Sequence, residues 1–69
     1  MACDGFDHGS RVAPSEGFMH LGKVFLTPDM VGTVKEVDRL NHRITVSFDQ
    51  IGVIRDLPAH NFRLAELPT

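Results

Sequence analysis

Tryptophan and tyrosine are absent from this sequence, and cysteine occurs once, as Cys3. A single cysteine excludes a disulfide within the chain, so a staple of that kind does not hold the fold together. No apolar run approaches the roughly 18 residues that a membrane-crossing helix requires, and the acidic opening Met1-Ala2-Cys3-Asp4-Gly5 lacks the basic and then apolar segment of a secretory signal. A cytoplasmic location and no membrane partner are therefore expected. Charge of one sign is also missing: seven Lys and Arg stand against nine Asp and Glu, a net charge of −2. That balance disfavours a general nucleic-acid binder, because neutralising phosphates supplies most non-specific affinity for nucleic acids.

Motifs of catalysis are lacking as well. The chain contains no P-loop, no Gly-x-Gly-x-x-Gly and no nucleophile elbow. No recognised motif ties His20, His42 or His60 to a serine, cysteine or carboxylate, so they read as exposed loop or strand-end residues. Cys3, Asp7 and His8 lie close in sequence, but a closed zinc site takes four Cys or His ligands at short paired spacings, and this chain has none. The expectation is no enzyme, no metal and no cofactor.

What is present is a chain of 69 residues with 42% hydrophobic and 23% charged residues, the range of an ordinary globular domain. A chain this short buries only about 60% of its unfolded surface and supports one core. Residues 1–9 carry Asp4, Gly5, Asp7 and Gly9 with little apolar content and read as a flexible tail, leaving 10–69 as the domain. Within it, four prolines and recurrent glycines leave no window for an amphipathic helix of usual length.

The clearest element is Arg43-Ile44-Thr45-Val46-Ser47-Phe48-Asp49, in which Ile44, Val46 and Phe48 alternate with polar residues as in a half-buried strand. Before it, residues 31–38 are rich in β-branched side chains, and Arg39-Leu40-Asn41-His42 supplies the reversal of a hairpin. Val34 and Val37 fall on opposite parities, which predicts a bulge between them. Gln50-Ile51-Gly52 reads as a turn, Val53-Ile54-Arg55-Asp56-Leu57 as a strand ending at Pro58, residues 58–61 as a single 3₁₀ turn, and Phe62-Arg63-Leu64 as a short closing strand. With a first strand at Ser10-Arg11-Val12-Ala13, the expected class is all-β: a five-stranded SH3-like barrel with a long first loop and a 3₁₀ turn before the last strand.

Two families of that barrel are similar to this chain. Gly32-Thr33-Val34 leading into Ile44-Thr45-Val46 resembles the KOW-type module of ribosomal and transcription-elongation proteins. Gly9-Ser10-Arg11-Val12, Val31-Gly32-Thr33-Val34, Val37-Asp38, Val46-Ser47-Phe48 and Asn61-Phe62 with Glu66-Leu67 resemble the small ferredoxin-docking subunits of photosystem I, in order over most of residues 9–67. The resemblance implies the barrel fold. It does not imply a partner, since the matching glycines, valines and aromatics are those any such barrel needs for closure and core. The chain departs from the docking subunits in its longer segment 17–30 and in lacking an aromatic and Asn-rich loop between the last strands.

Two groups of residues are candidate contacts. Phe18, Met19, Leu21, Val24, Phe25, Leu26 and Met30 crowd into the first loop, where Phe18, Phe25, Met19 and Met30 would anchor a partner or a second copy. The alternative there is a core strand over His20–Phe25, and both hold if one strand presents two faces. Arg39, Arg43, Arg55 and Arg63 lie in the second half, and alternation directs Arg43, Arg55 and Arg63 away from the core on neighbouring strands, a possible basic face. Glu36, Asp38, Asp49, Asp56 and Glu66 are interleaved with them, which favours a mixed-charge solvated surface. The expected function is a binding module that docks a protein partner or itself through the apolar first loop. The alternatives are a KOW-like nucleic-acid contact by the arginines, weakened by the absence of Trp and Tyr as stacking platforms, and an enzyme assembled only as an oligomer.

Overall fold

The computed structural model describes residues 6–65 and is all-β apart from one 3₁₀ turn. In chain order the strands are β1 (Arg11–Pro14), β2 (Phe18–His20), β3 (Val24–Leu26), β4 (Gly32–Asp38), β5 (Arg43–Phe48), β6 (Gly52–Pro58) and β7 (Phe62–Leu64), with the 3₁₀ turn at Ala59–Asn61 between the last two. Strands β6-β5-β4-β1-β7 make one antiparallel sheet, and β2 and β3 make a separate hairpin. Among the described residues the larger sheet does not close: β6 and β7 are its edges and are not paired with each other. Among the described residues, no helix is long and apolar enough to cross a membrane.

The alternation read from β5 is the spine of the core. Ile44, Val46 and Phe48 are all buried, and β4 supplies Val34 opposite Val46. The pairing then slips between Val34 and Glu36, so that Lys35 is extra and Val37 returns to the inner face opposite Ile44. This is the bulge that the valine parity predicts. A second slip lies in β6, where Ile54 opposes Val46 and Leu57 opposes Ile44, leaving Arg55 and Asp56 against Thr45 alone. Asp56 takes a left-handed backbone there, with φ of 57°, a conformation that Asp tolerates better than most residues. Ile54 and Leu57 both turn inward as a result. Gly32 is required for space: a Cβ on it would stand 2.5 Å from Val46 Cγ1 and 2.9 Å from the Ser47 carbonyl oxygen.

Two expectations change. Packing extends ahead of Ser10 to Phe6: Phe6 is buried in the core, Arg39 bonds its carbonyl (3.3 Å) and the Asp7 carboxylate (3.0 Å), and Gly9 N–H donates to Val34 C=O (2.8 Å). An isolated aromatic among glycines and aspartates gives no periodic signal, yet burying it stabilises the fold by roughly 1.5–3 kcal/mol. Of the expected tail 1–9, residues 1–5 fall outside the described residues, as does Cys3 with them. Segment 17–30, open between an exposed loop and one core strand over His20–Phe25, contains two strands, the hairpin β2–β3, whose inner positions Phe18, His20, Val24 and Leu26 face the core.

Candidate docking face

The hairpin turns on Leu21 and Gly22, both left-handed with φ of 54° and 66°, and Lys23 N–H closes the turn on the His20 carbonyl at 3.1 Å. Two consecutive positive φ values are the mark of a type I′ turn, for which Asn-Gly is the favoured pair. Leucine is a poor choice: a non-glycine side chain in this region costs about 1–2 kcal/mol, and this one is 75% exposed. The strain is not offset by burial of the leucine side chain.

Below the turn, His20 is the one buried polar or charged side chain among the described residues. Its Nε2–H donates to the Arg55 carbonyl at 2.9 Å, the carbonyl being able only to accept. The sequence reading of His20 as an exposed residue is thereby corrected, because its position on β2 faces inward and its ring finds a backbone partner. The bond ties the hairpin to the outer edge of β6. Between them runs an open groove of about 240 Å³, lined by His20, Leu21, Lys23, Val24 and residues 53–56 of β6. Its lining is apolar over most of its area, with Leu21, Val24, Val53 and Ile54 as the aliphatic members, and Val53 is 55% exposed. Lys23 and Arg55 stand at its rim, both exposed.

The expected anchors separate. Met19 and Phe25 pair across the hairpin on its outer face, 55% and 56% exposed, and the Phe25 ring lies over Gly17, where a Cβ would come within 3.1 Å of Cζ. Phe18 is half-buried and meets Phe62 edge to face at 6.0 Å, an arrangement worth about 1 kcal/mol beyond its burial. Met30 is buried in the core and presents no anchor. Leu21 and Val53, which now line the groove, carry no strand alternation that would single them out. Gly22, a residue that suits a turn, is the signal in the sequence for the reversal there.

The arginines do not form one face through the sheet. Arg39 is held by Asp7, Arg43 Nη1 reaches the Asp56 carbonyl at 3.5 Å, and Arg63 on β7 reaches the Pro28 carbonyl at 3.4 Å. Arg43 and Arg55 are on adjacent strands, but β7 is at the far end of the strand order from β6. Arg11 on β1, outside that group, grips Asp49 with both terminal nitrogens, at 2.7 and 3.2 Å, and bonds Thr33 Oγ1 at 2.9 Å. The paired bond with Asp49 raises the guanidinium pKa above its ordinary value and holds that of the Asp49 carboxyl below its own. Asp38 is likewise lowered, by the side-chain and backbone N–H groups of Asn41 in the β4–β5 turn.

Among the described residues, no group of three or more His, Cys, Asp or Glu is placed to hold a metal ion. No protein family matches this sequence, and neither a curated protein nor a solved structure does.

Proposed function

We propose that this chain is a non-catalytic protein-docking module with an SH3-like arrangement, and that it docks through the groove between the β2–β3 hairpin and β6. The order β6-β5-β4-β1-β7, with the hairpin inserted after the first strand and a 3₁₀ turn before the last, supports that architecture. The observation that carries the function is Leu21, an exposed leucine kept in a left-handed backbone at the lip of an aliphatic groove. Strain retained without local compensation points to use at a contact, and loops held by a rigid scaffold are where such contacts concentrate.

The test is affinity capture from cells that make the protein, comparing the wild-type chain with a Leu21→Asn/Val53→Thr variant. A protein held by the wild type and released by the variant supports docking at this face. Equal capture by both overturns it. A parallel titration with random single-stranded RNA and DNA at about 50 and 200 mM salt checks the arginines, because several phosphate contacts would lose orders of magnitude in affinity over that range. Salt-sensitive binding there would replace docking with nucleic-acid recognition.

A further inference from the structure

Resting on that docking reading, we propose that the occupant is an extended peptide segment that pairs its backbone with Val53, seats an aliphatic side chain between Leu21 and Val53, and presents a carboxylate to Lys23 and Arg55.

The backbone argument comes from β6 as an edge. Successive residues of a strand direct their N–H and C=O groups to opposite sides. On β4, Val34 turns its C=O and N–H to Gly9 and Ser10, so its partner Val46 on β5 turns to β6 and bonds Ile54, which leaves the N–H and C=O of Val53 on the outward side of the edge where His20 takes the Arg55 carbonyl. The hairpin thus covers the edge at Arg55 and leaves it open at Val53. An uncovered edge of this kind takes an added strand, with main-chain bonds giving affinity and side-chain pockets giving selectivity.

Groove size points the same way. Small-molecule sites start near about 300 Å³ and enclose most of their ligand, whereas this groove holds about 240 Å³ and is open along one side. It suits one or two aliphatic side chains of a chain that continues past it. Charge then selects the neighbouring residue: Lys23 and Arg55 outnumber Asp56, the one carboxylate among the lining residues, and none of the ion pairs among the described residues involves either cation. A carboxylate beside the aliphatic side chain meets both.

The experiment uses the full chain and two fluorescein-labelled peptides of about six residues, a usual strand length, one alternating Val with Asp and the other Val with Lys. Fluorescence anisotropy at low ionic strength should give saturable binding of the Val–Asp peptide, and about tenfold weaker binding by Lys23→Glu/Arg55→Glu. Amide resonances of Leu21, Lys23 and Val53 should move in the same titration. Equal binding of both peptides, binding of neither, or shifts confined to other residues overturns the proposal, as does concentration-dependent pairing of the protein with itself through those same amides. Loss of the peptide result with Leu21-dependent capture intact removes the acidic occupant alone; loss of both removes the docking face.

Discussion

His20 Nε2–H donates to the carbonyl of Arg55 across 2.9 Å, joining a buried side chain of the hairpin to the edge of a sheet with which the hairpin shares no ladder. This one bond does two things. It satisfies the one buried polar or charged side chain among the described residues, and it joins the two walls of the groove that Leu21 and Val53 line.

Replacing His20 with leucine keeps the bulk and removes the donor, which leaves the Arg55 carbonyl without this partner. The expected cost is about 1–3 kcal/mol in chemical denaturation. Hydrogen exchange should quicken in residues 18–26 ahead of β4 and β5, because only the hairpin loses its tether. Uniform quickening across the chain would show that His20 supports the whole core and not the hairpin.

Leu21→Asn should raise stability by about 1 kcal/mol, since Asn before Gly22 suits the turn and leucine does not. The same substitution should abolish docking. Thermal and urea unfolding check the first part, and a stability loss would mean that the leucine is supported by packing in the free protein.

Gly32→Ala should destabilise the protein by about 1–3 kcal/mol or prevent folding, because the new methyl meets Val46, the Ser47 carbonyl and the Phe48 backbone at once. Pairing it with Val46→Ala removes the closest clash but leaves the backbone contacts, so only partial recovery is expected. Full recovery in denaturation would locate the conflict in the valine alone.

Acid should weaken the fold through Asp49 and Asp38. Both carboxyls are held below the ordinary aspartate value of 3.8, by Arg11 and by Asn41 respectively. A lowered folded value means that their stabilisation is complete above that ordinary value and is lost as pH falls from it through the folded value. Asp49→Asn should flatten the fall of stability with pH in this acid range while leaving its pH dependence above 5 unchanged. An unchanged acid slope would show that the Arg11 clamp contributes nothing measurable in solution.

The parts of this fold legible in the sequence are those in which one face is buried and the other wet. The alternation of Ile44, Val46 and Phe48 marks β5, and the broken parity of Val34 and Val37 marks the bulge at Lys35. Legibility is partial where both faces are apolar: in Phe18–Leu26, outward Met19 and Phe25 interrupt the period of inward Phe18, Val24 and Leu26, so the segment reads equally as a loop or as one strand and the turn at Leu21-Gly22 is missed. It fails where a single residue acts alone. Phe6 has no periodic neighbours, and Asp56 turns left-handed with a side chain equally at home in a strand end, so the β6 bulge is silent. The groove joins the hairpin to β6: the strand over Val53–Leu57 is legible and Arg55 lies on it, but the turn at Leu21 and the bulge at Asp56, which shape the groove, carry no period.

Hydrogen exchange of the wild-type protein, alone and saturated with its captured partner, tests directly whether partners meet it at the hairpin and β6. Exchange should slow in residues 20–24 and 52–55 on binding, with β7 and the β4–β5 turn unchanged. Protection centred on Arg39 and Arg43, or on β7, would contradict docking at that face.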